Sequence, residues 1–407
     1  MKRRKILNFL SIILKYPLFL LSFLVPKSSK IWVMGAWYGE RYSDNSKYLF
    51  EHIVTNEDNI IPIWLTHNQE ILIKLRSRGQ RVYLINSILG YWYSCRASVA
   101  IFSSGLVDVN SLGLYRAKKV QLWHGIPLKK IGYDDKFSYP QGKKKKLIGY
   151  IKSIIFPYTD EKWDAMISTS PLVSKYFHSA FNIAEDNIYV TGYPRNDILF
   201  EKNIPEIKII SELKVRYKCN KIIGYVPTFR NGQFNLLTTK DREKLEQFLE
   251  KENCILLVKL HFVDMVRNNF KVNNFNSRLV FLGEEVSDVN ILLPHFDILL
   301  TDYSSVYFDY LLLDRPIVFT PFDLQEYKNS SRELYEDYEN VTPGSKCANW
   351  TEVEDALMEL INGHDDYKLE RSLVRAKHFS YVDNKNSVRV VDVINNLKNK
   401  GQRGEKE

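Results

Sequence analysis

Twelve short apolar runs, dominated by Ile, Val and Leu, recur along this chain and restrict it to one class of fold. Seven fall at 31–34, 61–65, 82–85, 99–102, 120–122, 165–167 and 188–190. Five more follow at 222–226, 255–260, 279–282, 298–300 and 317–319. The runs are continuously apolar rather than alternating, which is the pattern of parallel strands covered by helices on both faces. Between the two series lies the polar stretch 199–220, which contains Pro205. A chain of 407 residues also exceeds one ordinary core. The expectation is an α/β protein of two doubly wound, Rossmann-like domains facing a central cleft. Their predicted bounds are 29–205 and 206–397, with a membrane-associating segment at 1–28 and a charged tail at 398–407.

The amino terminus reads Lys2-Arg3-Arg4-Lys5 and then a largely apolar run over 6–25, interrupted by Asn8, Lys15 and Pro17. Residues 23–26 lack the small-residue pattern of a signal-peptide cleavage site. Some 20 apolar residues can span a bilayer, yet Lys15 mid-segment would cost about 2.5–3.5 kcal/mol. Basic residues flank both ends, so charge asymmetry assigns no crossing direction. The favoured reading is an interfacial or re-entrant anchor bent at Pro17, while a spanning segment stays open. The four cysteines (Cys95, Cys219, Cys254 and Cys347) have no paired spacing, which favours free thiols in a reducing compartment. Together these features place the protein on the cytoplasmic face of the cell membrane.

The formal charge of +9 favours an anionic partner without naming it. Lys143–Lys146, followed by an apolar stretch to Phe156, suits either an anionic bilayer surface or a solvated basic loop. No recognised motif supports nucleic-acid binding.

Polar, Gly-containing and His-containing clusters directly follow the predicted strands, where open α/β sheets bind ligands. Trp123-His124-Gly125 leaves the run 120–122 ahead of Pro127. An imidazole on such a turn can act as general base, although an isolated turn histidine is more often structural. Thr301-Asp302-Tyr303-Ser304-Ser305 follows another strand and precedes a helical pattern. The two serines there can bind phosphate at a helix start or simply cap it. Asp309 lies one turn further on. Thr228 and Arg230 end one strand of the second series and Lys259 and His261 end the next; Arg230 and Lys259 supply permanent positive charge for a diphosphate, and His261 a phosphate ligand or acid. There is no Asp-x-Asp, Walker A loop or Gly-x-Gly-x-x-Gly, so neither a metal-bridged nucleotide nor a dinucleotide cofactor is expected.

At these residues the sequence resembles the CDP-glycerol glycerophosphotransferases of teichoic acid and capsule synthesis. The matching pieces are 39–46, Trp123 to Lys129, 192–197, 227–230, 259–261 and 301–309 with Arg315-Pro316. The resemblance implies a GT-B fold that uses no metal or other cofactor. It also implies transfer of a polyol phosphate from CDP-glycerol or CDP-ribitol to a lipid-linked saccharide acceptor, with release of CMP. His124 and His261 carry over as catalytic residues. Arg230, Thr228, Lys259, Asp302, Ser304, Ser305 and Asp309 would serve the donor. Trp123, Gly125, Asp44, Asn45, Arg195 and Asp197 would lie on the acceptor side. The chain departs from the family at Ile126 (often Thr), at Phe262 (Pro after the second histidine) and over 383–387. Its length suits a primase-like short form. Two alternatives share the sequence features: a GT-B glycosyltransferase of capsule assembly and a catalytically silent membrane scaffold.

Overall fold

The computed structural model describes residues 2–136, 153–202, 206–228, 237–260, 277–283, 286, 288–324 and 333–403, and side chains from 12 to 398 among them. Arg230, His261 and Lys143–Lys146 lie outside the described residues.

The chain forms two compact units. The first comprises Met1–His124, Gly132–Asp197 and Lys385–Glu407, and the second Gly125–Ile131 and Ile198–Asn384. In the first unit the strands are β1 (Ser28–Met34), β2 (Ile61–Thr66), β3 (Val82–Leu84), β4 (Ala97–Phe102), β5 (Lys118–Gln121), β6 (Ala165–Ser168) and β7 (Ile188–Val190). They form one parallel sheet in the order β3-β2-β1-β4-β5-β6-β7. The second unit contains β8 (Lys221–Val226), β9 (Cys254–Lys259), β10 (Leu279–Leu282), β11 (Ile298–Thr301), β12 (Ile317–Phe319) and β13 (Ser345–Lys346). Its parallel sheet runs β10-β9-β8-β11-β12-β13. Every predicted apolar run lies on one of these strands or overlaps it. The two-residue β13 carries no apolar signal and was invisible to that reading.

The continuous apolarity has the expected cause. Trp32, Val33, Met34, Ile63, Trp64, Leu65, Val99 and Ala100 are fully buried, so both faces of these strands are covered. Polar side chains start the covering helices. Asn68 accepts from Glu70 N and Ile71 N, Ser87 Oγ accepts from Gly90 N, and Thr238 and Asp241 form a reciprocal capping box.

The predicted second-domain boundary needs correction. Residues 385–397 return to the first unit rather than belonging to a 206–397 domain. The helix Asn386–Arg403 is tied there by polar contacts. Asp197 accepts from Asn386 N and Ser387 N at 2.9 Å each, and Arg389 Nε donates to Thr191 O at 2.7 Å. Val390, Val391 and Ile394 bury its apolar face. Amphipathicity predicts that a helix covers a sheet, not which of two sheets it covers.

The amino-terminal helix Lys2–Leu21 contains Pro17 and continues into the turn Ser22–Leu24. Phe19 is buried with Leu112 and Tyr158, and Ile12, Tyr16 and Tyr115 pack beside them. Ile13, Leu14, Leu18, Leu20, Leu21 and Leu24 remain exposed. Among the described residues, no helix is long and apolar enough to cross a membrane.

Candidate active site

In both units the strand order turns back beside the first strand, between β1 and β4 and between β8 and β11. The loops leaving the carboxyl ends of strands diverge at such a point, opening room for a ligand. Most of the predicted residues among those described lie at the carboxyl ends of strands, with Asp197 and Asp309 as exceptions.

In the first unit, His124 sits three residues past β5. Its Nδ1 lies 2.8 Å from the carbonyl oxygen of Ser103, which follows β4. A carbonyl only accepts, so Nδ1 carries the proton and Nε2 holds the lone pair of the neutral ring. The rings of Trp123 and Trp37 flank the imidazole with centroids at 4.0 and 5.3 Å. Burial lowers the His124 pKa below the ordinary 6.5, with Asp44, the Ser103 hydrogen bond and Asp108 opposing the shift and Arg195 adding to it. The ring therefore favours its neutral, proton-accepting form.

The backbone of this turn is held from behind. Arg195 Nη1 donates to His124 O at 2.7 Å and pairs with Asp44 Oδ1 at 2.9 Å. Asn45 Nδ2 donates to Trp123 O at 2.8 Å, and Arg195 N donates to Asn45 Oδ1 at 3.1 Å. Trp37 Nε1 donates to Asp44 Oδ2 at 3.2 Å, and Gln121 Oε1 accepts from Trp123 N at 2.9 Å. Asp44, Asn45 and Arg195 are buried. Nine non-glycine residues among those described have positive φ, and Trp37, Tyr38, Asp44 and Trp123 are four of them. Left-handed backbone in bulky residues persists only where neighbours over-determine it, and such strain collects at functional sites. Gly125, with φ +139°, opens the segment that leaves this unit.

Asp44, Asn45, Arg195 and Trp123 thus converge on one histidine although they lie up to 151 residues apart. Asp197 does not join them; its carboxylate caps the helix Asn386–Arg403. Sequence reasoning assigned no role to Trp37, Gln121 or Asp108, although Gln121 opens the run that leads into His124.

In the second unit, Thr228, Lys259 and Asp302 stand at the carboxyl ends of the adjacent strands β8, β9 and β11. Asp302 Oδ1 accepts from Thr228 N at 2.8 Å, Thr228 Oγ1 at 2.6 Å and Tyr303 N at 2.6 Å. Asp302 is fully buried, so it fixes the two loops to one another rather than standing open to solvent. Lys259 Nζ donates to Gly283 O at 2.7 Å. Ser304 and Ser305 are half-buried, and Ser305 precedes the short helix Val306–Leu311 without a side-chain capping bond. The capping role weighed for it from sequence is therefore absent. Asp309 is buried with Oδ2 3.4 Å from Asn290 Nδ2, within the core rather than at the strand ends. Among the described residues, no group of three or more His, Cys, Asp or Glu side chains is gathered to hold a metal ion.

Comparison with known proteins bears on what these two sets of residues serve. The family model for CDP-glycerol:poly(glycerophosphate) glycerophosphotransferase matches residues 18–396. A teichoic acid glycerol-phosphate transferase of Staphylococcus aureus (strain NCTC 8325 / PS 47) is 28% identical, covering 88% of this chain and 91% of its own length. A teichoic acid poly(glycerol phosphate) polymerase of Bacillus spizizenii is 29% identical, covering 84% and 86%. Among solved structures, a variant of the wall teichoic acid polymerase TagF superimposes with a TM-score of 0.75 at 25% identity, covering 98% of both chains. An MnaA–UDP structure from S. aureus, at 15% identity and a TM-score of 0.55, shares the fold. The match over nearly the whole chain sets aside the glycosyltransferase and scaffold readings. The chain belongs to the CDP-glycerol:poly(glycerophosphate) glycerophosphotransferase family, enzymes that transfer a polyol phosphate from a CDP-linked donor.

Proposed function

We propose that the protein transfers glycerol phosphate from CDP-glycerol to the hydroxyl of a lipid-linked saccharide acceptor, with His124 as general base. The observation that carries this reading is the Nδ1 contact to Ser103 O, which leaves Nε2 of His124 as the proton acceptor. Nε2 would take the acceptor hydroxyl proton as that oxygen attacks the β-phosphorus. The bond from the β-phosphorus to the bridging oxygen would break, and CMP would leave with its electron pair. Charge builds on phosphate oxygens as this happens, and fixed donors are suited to stabilise it.

The donor would bind at the carboxyl ends of β8, β9 and β11. Ser304 and Ser305 have the hydroxyls and backbone N–H groups for phosphate, while Asp302 and Thr228 hold the loops that present them. Lys259, together with Arg230 and His261 from the sequence reading, would add positive charge. Asp44, Asn45 and Arg195 would act through the His124 turn rather than on the acceptor, a reading supported by their hydrogen bonds to it. Asp197 and Asp309 have other partners and are set aside. The proposal retains the GT-B reading of two Rossmann-like units.

An anionic membrane surface is the proposed location of the acceptor. The amino-terminal helix buries Phe19 but exposes Leu14, Leu18, Leu21 and Leu24. The neighbouring helix Ile88–Arg96 exposes Ile88, Leu89 and Trp92, and its Tyr91 hydroxyl donates to Leu18 O. An apolar face of this kind on a helix that also exposes Lys15 suits a headgroup interface.

The test is CMP release by purified protein supplied with CDP-glycerol and membranes. Release that depends on both components supports the reading. Consumption of CDP-ribitol alone would move the donor assignment, and release from neither donor would defeat it.

A further inference from the structure

Asp108 belongs to no sequence motif, is fully buried, and is absent from the catalytic scheme above. Its carboxylate nevertheless accepts four backbone N–H groups. Oδ2 receives Ser103 N at 3.0 Å, Ser104 N at 2.7 Å and Gly105 N at 3.2 Å. Oδ1 receives Tyr38 N at 2.7 Å. Successive N–H groups converging in this way form an anion-binding nest. Here the anion is supplied by the protein itself, between the loops that leave β1 and β4.

Both tethered loops touch His124. Ser103, whose N–H meets Asp108, is the residue whose carbonyl receives His124 Nδ1 at 2.8 Å. Tyr38 adjoins Trp37, whose ring lies against the imidazole. The site of Asp108 is shaped closely from the other side as well. A Cβ on Gly35 would come within 1.9 Å of Asp108 O, so the chain leaving β1 approaches only because residue 35 is glycine.

We propose that Asp108 is a positioning residue that holds Ser103 O on His124 Nδ1, and so keeps Nε2 free for the acceptor proton. The proposal rests on the reading of His124 as base, and its physical argument is one of donor and acceptor counting. Four N–H donors face two oxygens, and only a carboxylate offers acceptors on both. Burial pushes the Asp108 carboxyl up and the four hydrogen bonds pull it back. Asparagine in its place would turn an NH₂ group toward at least one backbone N–H. The loop would then shift, and the carbonyl would no longer select the His124 tautomer.

The experiment uses full-length protein labelled with ¹⁵N-histidine, with the His124 signals assigned by their loss in H124Q. In the unsubstituted protein the neutral ring should carry its proton on Nδ1. In Asp108→Asn the Nε2-protonated form should appear. The kcat for CMP release should fall about 10²-fold, as expected when a reacting group is misplaced by about 1 Å, with KM for CDP-glycerol within about twofold. The charges facing His124 are Asp44, Arg195 and Asp108, and Glu161 lies near Asp108. Loss of one negative charge should move the acid limb of the pH profile to lower pH, which a purely structural loss would not do. Asp108→Glu retains the charge and should leave that limb in place while still reducing kcat.

A folded Asp108→Asn protein with unchanged His124 tautomer and acid limb would overturn the proposal. So would an Nε2-bound proton in the unsubstituted protein, which needs no variant to fold. If H124Q released CMP at the full rate while Asp108→Asn still altered the tautomer, the base reading would fail and the positioning role would stand.

Discussion

Replacing Asp44 by alanine should destabilise the first unit far more than its single ion pair suggests. Asp44 and Arg195 are paired at 2.9 Å with side chains only 5% and 7% exposed, so neither charge is relieved by water. Removing one partner of a buried pair strands the other charge, at a cost of about 3–5 kcal/mol. The same substitution also removes the acceptor of Trp37 Nε1 and one acceptor of Asn45 N. Set against a usual domain stability of about 5–15 kcal/mol, that is a large fraction. It corresponds to a fall in Tm of roughly 6–20 °C for a unit of this size. Urea unfolding followed by tryptophan fluorescence would measure it, with Trp37 and Trp123 as local reporters. The double variant Asp44→Ala/Arg195→Leu removes both charges and should cost less than the sum of the singles, with a coupling of about 1–3 kcal/mol. A single-variant loss within about 1 kcal/mol, or fully additive costs, would refute the claim that this pair anchors the His124 turn.

His124→Gln should lower CMP release by about 10²–10⁴-fold while the circular dichroism spectrum and urea midpoint stay near those of the parent. The His124 pKa is held below 6.5, so protonation removes the base only in acid. The acid limb of kcat/KM should be centred below pH 6.5, and a limb centred above 6.5 would contradict the geometry. Gly192→Ala places a Cβ 1.9 Å from Asn386 Oδ1 at a φ of +79°. Hydrogen exchange should therefore rise in residues 386–398, while strand β8 in the other unit keeps its protection. Leu14→Asp combined with Leu21→Asp should reduce cosedimentation with anionic vesicles and leave transfer to a soluble acceptor analogue intact; equal sedimentation of variant and parent would remove this helix from the membrane contact.

Sequence alone determined the class and every strand but the two-residue β13. Strands buried on both faces must be continuously apolar, and the twelve runs therefore announced two parallel sheets in order. The polar clusters at the carboxyl ends of those strands were legible as candidate site residues because strand direction fixes where loops can bind. What depended on tertiary structure was everything set by approach between distant segments. The helix Asn386–Arg403 carries an apolar face that either sheet could cover, and contacts such as those to Asp197 and Thr191 assign it to the first unit. Asp44 and Arg195 were visible in motifs, but their service to the His124 carbonyl appears only when β1, β5 and β7 lie in one sheet. Asp108 was not visible at all. A carboxylate that binds backbone N–H groups leaves no pattern in side-chain types, because every residue has the N–H it uses. Its importance to His124 exists only in the folded geometry.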